Sequence, residues 1–483
     1  MRGVVWILVG SLVAGCGEGP ASADARAAGA DAPAWPIDGF LHHTPESPAL
    51  VARLPRRSVV ASKPDAVQKL LDAFGVTRGA TQSFFGVEDP QGVDEARAPG
   101  YARTTKGVTM RFLPIADKAA LNRALQPMLA NWKLIEHDRW AVLARGAPGN
   151  ESAQKEPLLP GDVAVRVHNH PVLSLAARPG DVLDLGATLH ASGCEFEGRL
   201  RAGPTATDDD ALARAAEGYG GMLEHLPGWL ALRIEMTLPP TACAALVARR
   251  FAFHCGIQAP ADRVVLERLL REALSGVRLD AGLGLGVEFR EGRATIVCCG
   301  TLEGPNSPIL TKLRNEDRTS FGAIVFDLRD ADPRVDAWSL WIVEPKPKLE
   351  GLPECLWPII AAATEGEDGP GLDVAYTVAG RSFACAVGPR ADFLVRAVAR
   401  RFKRGAKPSS GTNHLWHMRQ RGEGGYIGGI VFESRGLAGL NPDDREGLRA
   451  LFFGGAAATA PQVLAAALFR DGKGLRIAGR LIY

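Results

Sequence analysis

The chain has 483 residues, 46% of them apolar and 23% charged, with a formal net charge of +2. That balance is ordinary for a globular protein and gives no general pull towards a polyanion, so no nucleic-acid partner is expected. The length exceeds what one simple core supports and predicts two or three folded units.

The first element is a sorting signal. Arg2 supplies a small positive n-region, and Val4 to Ala14 form an uncharged stretch of eleven residues. A membrane-spanning helix needs roughly 20 apolar residues, so this run matches the h-region of a secretory signal instead. Val13-Ala14-Gly15-Cys16 resembles the lipobox of bacterial lipoproteins. The resemblance implies removal of residues 1–15, diacylation of the Cys16 thiol and acylation of the new amino terminus. More than one acyl chain gives stable anchoring, since each buried methylene contributes about 0.8 kcal/mol. Gly17 rather than Asp follows the cysteine, which by analogy with such lipoproteins points to the outer membrane, facing the periplasm. The competing reading is an ordinary signal peptide with an incidental cysteine. Residues 16–39 are dominated by Ala, Gly, Pro, Asp and Ser and read as a flexible tether, because they bury too little to offset ordering entropy.

Beyond the tether the pattern alternates between helix and strand. PDAVQKLLDAFG (Pro64 to Gly75) is an amphipathic helix with Val67, Leu70, Leu71 and Phe74 on one face. Residues 117–132 keep helical spacing, with Pro127 expected to kink or break the helix. PADRVVLERLLREALSG (Pro260 to Gly276) is a third helix, with Glu267 four residues before Arg271 and Gly276 at its stop. VTMRFLP, RWAVLARG, DVAVRVHNH, WLALRIEMTL, GLGLGVEFREGRATIVCCGTL, GAIVFDL, WSLWIVEP, LDVAYTVAGRSFACAVG and GLRIAGRLIY read as strands. Turn pairs such as Glu291-Gly292 and Gly380-Arg381 predict hairpins. The absence of a strand–helix–strand rhythm predicts an α+β fold of mainly antiparallel sheets with packed amphipathic helices. No further stretch approaches spanning length, so the body is expected to be water-soluble.

Four segments recur in order and predict a two-fold internal duplication. ARLPRRSVVASKPDAVQKLL pairs with EHLPGWLALRIEMTLPPTACAALV, each read as Leu-Pro, an apolar strand, Pro and a small-residue helix. HDRWAVLARGAPG pairs with AGRSFACAVGPRADF, GDVAVRVHNHPVLSL with GGYIGGIVFESRGLAGL, and CEFEGRLRAG with LRIAGRLIY. The halves would be 40–205 and 222–483, joined by a connector at 206–221. The organisation resembles that of large exported bacterial proteins of unknown function, with no diagnostic motif.

Candidate chemistry is sparse. His168 and His170 would share a strand face, but Arg166 on that face would repel a cation and zinc needs three or four ligands; a solvated polar face is the expected reading. His414 and His417 likewise lack a third ligand, so neither a metal nor a cofactor is expected. GLGLGV (Gly282 to Val287) runs into a strand and marks a bulge or close backbone packing rather than a phosphate loop. Besides Cys16 there are Cys194, Cys243, Cys255, Cys298, Cys299, Cys355 and Cys385. Cys243–Cys255 is the nearest well-spaced pair, adjacent Cys298 and Cys299 point to opposite faces, and most are expected as small buried apolar side chains.

The densest charge cluster is DFLVRAVARRFKRGAKP, a helix ending at Gly405 with an apolar face of Phe393, Leu394, Ala397, Val398 and Phe402. Its cations Arg396, Arg400, Arg401, Lys403, Arg404 and Lys407 complement the helix C-terminus, and are also candidates to touch anionic head groups or an envelope polyanion. With no catalytic constellation in view, the sequence points to a membrane-anchored, non-enzymatic envelope lipoprotein. It would act as a binding or structural module, with an apolar small molecule such as a lipid, or an envelope protein, as partner. The alternative is an envelope hydrolase whose active groups are scattered along the chain.

Overall fold

The computed structural model describes residues 39–44, 48–73, 79–104, 106–137, 139–147, 156–168, 182–201, 221–236, 276–278, 282–304, 318–321, 324–332, 335–342, 372–404, 426–453, 462–471 and 474–482, with isolated positions at 261–271 and 315. The signal, Cys16, the tether up to residue 38, His170, His414, His417, Lys407, Cys243, Cys255 and Cys355 lie outside these residues, whereas Gly39, expected as the end of the tether, begins a one-turn helix. The chain divides into two units. One holds the described residues up to Arg201 together with Gly474–Ile482, and the other those from Gly221 to Leu451 together with Gln462–Asp471. The architecture is antiparallel sheet with a few helices, consistent with an α+β class.

In the N-terminal unit the strands are β1 (Pro48–Arg53), β2 (Gly100–Thr104), β3 (Thr109–Pro114), β4 (Lys133–His137), β5 (Trp140–Arg145), β6 (Val163–His168), β7 (Val182–His190), β8 (Gly193–Arg201) and the C-terminal strand β19 (Gly474–Ile482). Their order is β4-β5-β3-β2-β1-β6-β7-β8-β19, every neighbour antiparallel. The last strand, placed by sequence in the second half, thus pairs along its whole length with β8. Among the described residues this sheet is accompanied by α1 (Arg57–Ser62), α2 (Pro64–Ala73), α3 (Ala80–Phe85) and α4 (Lys118–Leu125).

The segment RSVVAS is helix α1 and not the apolar strand that the recurring pattern predicts. Within it only Val60 is buried, so the segment offers one inward residue per turn rather than an alternating face. The strand preceding Leu54-Pro55 is β1. Helix α4 starts where expected: Asp117 caps it by accepting from the Ala120 N–H, and the chain passes into a 3-10 turn, Gln126–Met128, at Pro127. A one-turn helix, Gly39–His43, drives Phe40 onto Phe112 (5.5 Å between centroids) and Trp140 (6.0 Å). With Val51, Met110 and Val142 these form the core, each full burial contributing about 1.5–3 kcal/mol. A methyl group on Gly100 would lie 2.3 Å from the Phe40 ring, so this approach requires glycine.

The C-terminal unit contains β9 (Leu232–Met236), β10 (Leu283–Arg290), β11 (Arg293–Thr301), β12 (Arg318–Phe321), β13 (Ile324–Asp332), β14 (Val335–Ile342), β15 (Leu372–Ala379), β16 (Ser382–Val387), β17 (Tyr426–Glu433) and β18 (Val463–Asp471). The order is β12-β13-β14-β15-β16-β11-β10-β9-β17-β18, again antiparallel throughout. Its continuously described helices are α5 (Met222–His225), α6 (Ala391–Arg404) and α7 (Pro442–Phe453). The described positions of the third predicted helix are helical, and Glu267 pairs with Arg271. No helix among the described residues is long and apolar enough to cross a membrane.

Candidate functional site

The two faces of the C-terminal sheet carry different side chains. Directly opposed residues share a face, so the pairings define continuous rows. One row runs Arg233, Gly286, Val297, Ala386, Ala375, and the next Glu235, Gly284, Cys299, Ala384, Thr377. This face is small and receives the helices. A methyl on Gly284 would sit 3.0 Å from Met222 Cβ, and one on Gly286 would sit 2.4 Å from Leu230 Cδ1. The glycines of GLGLGV therefore serve close packing. Helix α6 lies beside α5 on this side: Phe402 packs on His225 at 4.8 Å, and the Arg401 guanidinium donates to the Glu224 carbonyl at 2.8 and 3.1 Å. Burial and the Arg401 charge hold the His225 imidazole below its ordinary pKa.

The opposite face is aliphatic. A row of Ile430, Ile234, Leu285, Cys298 and Cys385 crosses five strands, and Val287, Ile296 and Val387 form part of the next. All eight side chains are only half-buried, whereas most residues on the helix face are fully buried. Leu283, Tyr376, Phe383 and Phe432 on the same face are buried, so the eight form a bounded apolar patch, which can take up an apolar ligand. No sequence motif signals it. It emerges only when register aligns residues from strands far apart in the chain.

Helix α6 distributes the predicted cationic cluster unevenly. Arg400 and Lys403 are exposed and Arg396 is half-buried. Arg401 does not join a surface patch, because its guanidinium is spent on the Glu224 carbonyl and burial lowers its pKa. Phe393, expected on the inward face, is 43% exposed and lies 6.3 Å from Trp229, itself 47% exposed. The residues facing inward are Ala391, Leu394, Val395 and Val398. Arg390 lies over the Phe393 ring at 4.1 Å and pairs with Glu288 at 2.9 Å.

The polar face of β6 is not the solvated surface expected. Arg166 is 3% exposed, and its Nε donates to Asp184 directly opposite on β7 at 2.5 Å. Its remaining N–H groups reach the carbonyls of Glu156 and Pro157, both at 3.0 Å. The neutralising acid sits one strand away and 18 residues on, out of reach of a local reading. Burial, and then Arg166, hold the pKa of His168 down. No group of three or more metal-ligating side chains occurs among the described residues.

An open depression of about 430 Å³ in the N-terminal unit is lined by Arg57, Val60, Ala61, Pro64, Asp65, Gln68, Thr81 and Asp89. Arg57 is committed to Asp89 and the Pro90 carbonyl, and the lining contains no Ser, Cys or His. Cys194 and Cys299 are buried. The Cys299 thiol lies 3.9 Å from the Met222 carbonyl, and burial drives its pKa well above the ordinary thiol value, which disfavours the thiolate.

No family model matches the chain, and no curated protein matches it. Among solved structures, "Structure of crystal form I of TP0453" aligns over 35% of this chain and 80% of that chain, with 13% identity and a TM-score of 0.23. A likeness of that size carries no inference about fold or function.

Proposed function

We propose that the protein is an exported lipoprotein, held to a membrane through acylated Cys16 at the periplasmic side of the outer membrane, that binds an apolar molecule without catalysing a reaction. The observation carrying the binding reading is the half-buried row Ile430, Ile234, Leu285, Cys298 and Cys385. It spans about 19 Å at the usual strand separation of about 4.8 Å, contains no charged side chain, and suits the acyl chain of a lipid. Protein purified from its own membrane is expected to release a stoichiometric lipid on solvent extraction, read by mass spectrometry. Leu285→Asp is expected to abolish that co-purification while the chain stays folded. An empty wild-type protein would overturn the reading.

The membrane reading rests on the lipobox-like Val13-Ala14-Gly15-Cys16 and gains support from the edge of α6. There Arg400 and Lys403 stand exposed on the same helix as Phe393, which meets Trp229. Aromatic rings beside cations are the composition that lies on anionic lipid. Cys16→Ser is expected to lose labelled palmitate and to leave the membrane fraction. Arg400→Gln with Lys403→Gln, on the Cys16→Ser background, is expected to weaken binding to phosphatidylglycerol vesicles several-fold. Retained label in the first variant overturns the anchor, and unchanged vesicle binding in the second overturns the surface contact.

The two units are also proposed to descend from one duplicated unit. What supports this is the order of pairing. Around β1 the neighbours run β2-β3-β5-β4 on one side and β6-β7 on the other; around β9 they run β10-β11-β16-β15 and β17-β18. Each central strand follows a one-turn helix of the pattern Gly-x-Leu-x-His, at Gly39–His43 and Gly221–His225. Phe40 packs over Gly100 as Met222 packs over Gly284. Strands β12 to β14 are then an addition at the edge of the second copy.

A further inference from the structure

Cys298 on β11 and Cys385 on β16 lie directly opposite one another in adjacent antiparallel strands, and both are half-buried. Opposed residues project to the same face, and neighbouring Cys299 projects to the other, towards Met222. Two hairpins fix the hydrogen-bonding phase independently. The Glu291-Gly292 turn closes β10–β11 at Arg290 and Arg293, so odd-numbered β11 residues bond to β10 and even-numbered ones to β16. The Gly380-Arg381 turn closes β15–β16 at Ala379 and Ser382, so Cys385 bonds towards β11. Both counts make Cys298 and Cys385 a hydrogen-bonded pair, for which the Cα separation is about 5.5 Å. That falls inside the disulfide window of about 4.4–6.8 Å.

We propose that Cys298 and Cys385 form a cross-strand disulfide when the protein meets an oxidising compartment, and that this bond is readily reduced. The first clause rests on the export reading above; the geometry does not. The Cβ atoms of a hydrogen-bonded pair stand farther apart than those of a non-hydrogen-bonded pair, so closing to about 3.8 Å strains the ladder. Strain raises the reduction potential and places the bond in the labile class. The bridge forms by two thiol–disulfide exchanges. With Cys298 reacting first, its sulfur attacks one sulfur of a small disulfide or of an envelope thiol–disulfide oxidant, releasing one thiol. The Cys385 sulfur then attacks Cys298 Sγ and releases the second. The two cysteine protons pass to the two released sulfurs, and the oxidant gains the two electrons that the cysteines lose. The bridge would tie β11 to β16 within the apolar row and draw their side chains together there.

The test uses the folded full-length chain, equilibrated with oxidised glutathione, acid-quenched, alkylated, digested and read by mass spectrometry. The expected product is one linked peptide pair containing Cys298 and Cys385, two hydrogens lighter than the dithiol. It should be absent from Cys385→Ser, and lost in wild type at reductant concentrations that spare an unstrained protein disulfide. Alkyl groups on both residues after oxidation, or an intermolecular link through Cys298, would overturn the proposal. The same trapping on intact cells separates the two ideas: a pair that bridges in vitro yet stays reduced in cells sinks the export reading and leaves the geometry standing.

Discussion

Replacing Glu433 with alanine is expected to lower the unfolding free energy by about 3–5 kcal/mol, because it removes the neutralising carboxylate from a buried guanidinium. Arg233 on β9 is fully buried and pairs with Glu433 at the end of β17, which is 1% exposed. Burial presses the Arg233 pKa down, and the Glu433 charge offsets that pressure. Arg233 and Glu433 share the helix side of the sheet, where Arg233 stands directly opposite Gly286 on β10 and Val431 on β17. Arg435 also reaches Glu433 but is 60% exposed, so Arg435→Ala should cost less than about 1 kcal/mol. The double replacement Arg233→Met with Glu433→Leu should recover most of the loss, since an apolar pair of similar volume avoids desolvation. Urea unfolding of the three variants reads all of this. A small effect of Glu433→Ala would mean that water or another acid reaches Arg233, contradicting the burial.

Much of the sheet was legible because hairpins leave a local trace. GLGLGVEFREGRATIVCCGTL alternates on both sides of Glu291-Gly292, and both turn residues adopt positive φ, 53° and 72°, as a two-residue hairpin turn requires. Asp117 and Pro127 bounded α4 for equally local reasons. The failures are non-local. β18 reads VLAAALFRD, a sequence with high helix propensity, yet Ala465, Ala466 and Ala467 are all buried and the segment pairs along β17; tertiary contact overrides propensity. β7 escaped because residues 183–187 are buried on both faces, which removes the alternation that marks a strand.

The candidate site divides in the same way. Its cationic helix was visible as a charge cluster, but only neighbours from other elements decide which cations face outward. Arg401 turned inward because the Glu224 carbonyl, 177 residues away, lies within reach. Phe393 faced outward because Leu394 and Val395 took the inward positions beside it. The apolar row could not be read at all. Ile234, Leu285, Cys298, Cys385 and Ile430 are unremarkable singly, and register alone makes them one surface. The opposed cysteines are invisible for the same reason, since 86 residues separate them.

Two glycines with nearly the same backbone conformation separate strain from collision. Gly92 has φ +81° and Gly107 has φ +82°. A methyl on Gly107 meets nothing within 4 Å, whereas one on Gly92 would stand 2.3 Å from the Asp117 carbonyl oxygen and 2.5 Å from the Leu121 nitrogen. These are backbone atoms at the start of α4, and the Gly92 carbonyl accepts from the Ala116 and Asp117 N–H groups there. Gly107→Ala is therefore expected to cost only the left-handed penalty, about 1–2 kcal/mol. Gly92→Ala carries that penalty and must also displace the helix start, which adds about 1–3 kcal/mol more. Displacement would disturb Leu121 and Leu125, both fully buried, so the larger loss should come with weaker protection of the α4 amides in hydrogen exchange. Equal losses for the two variants would mean that α4 yields without cost, and that Gly92 is needed only for its φ.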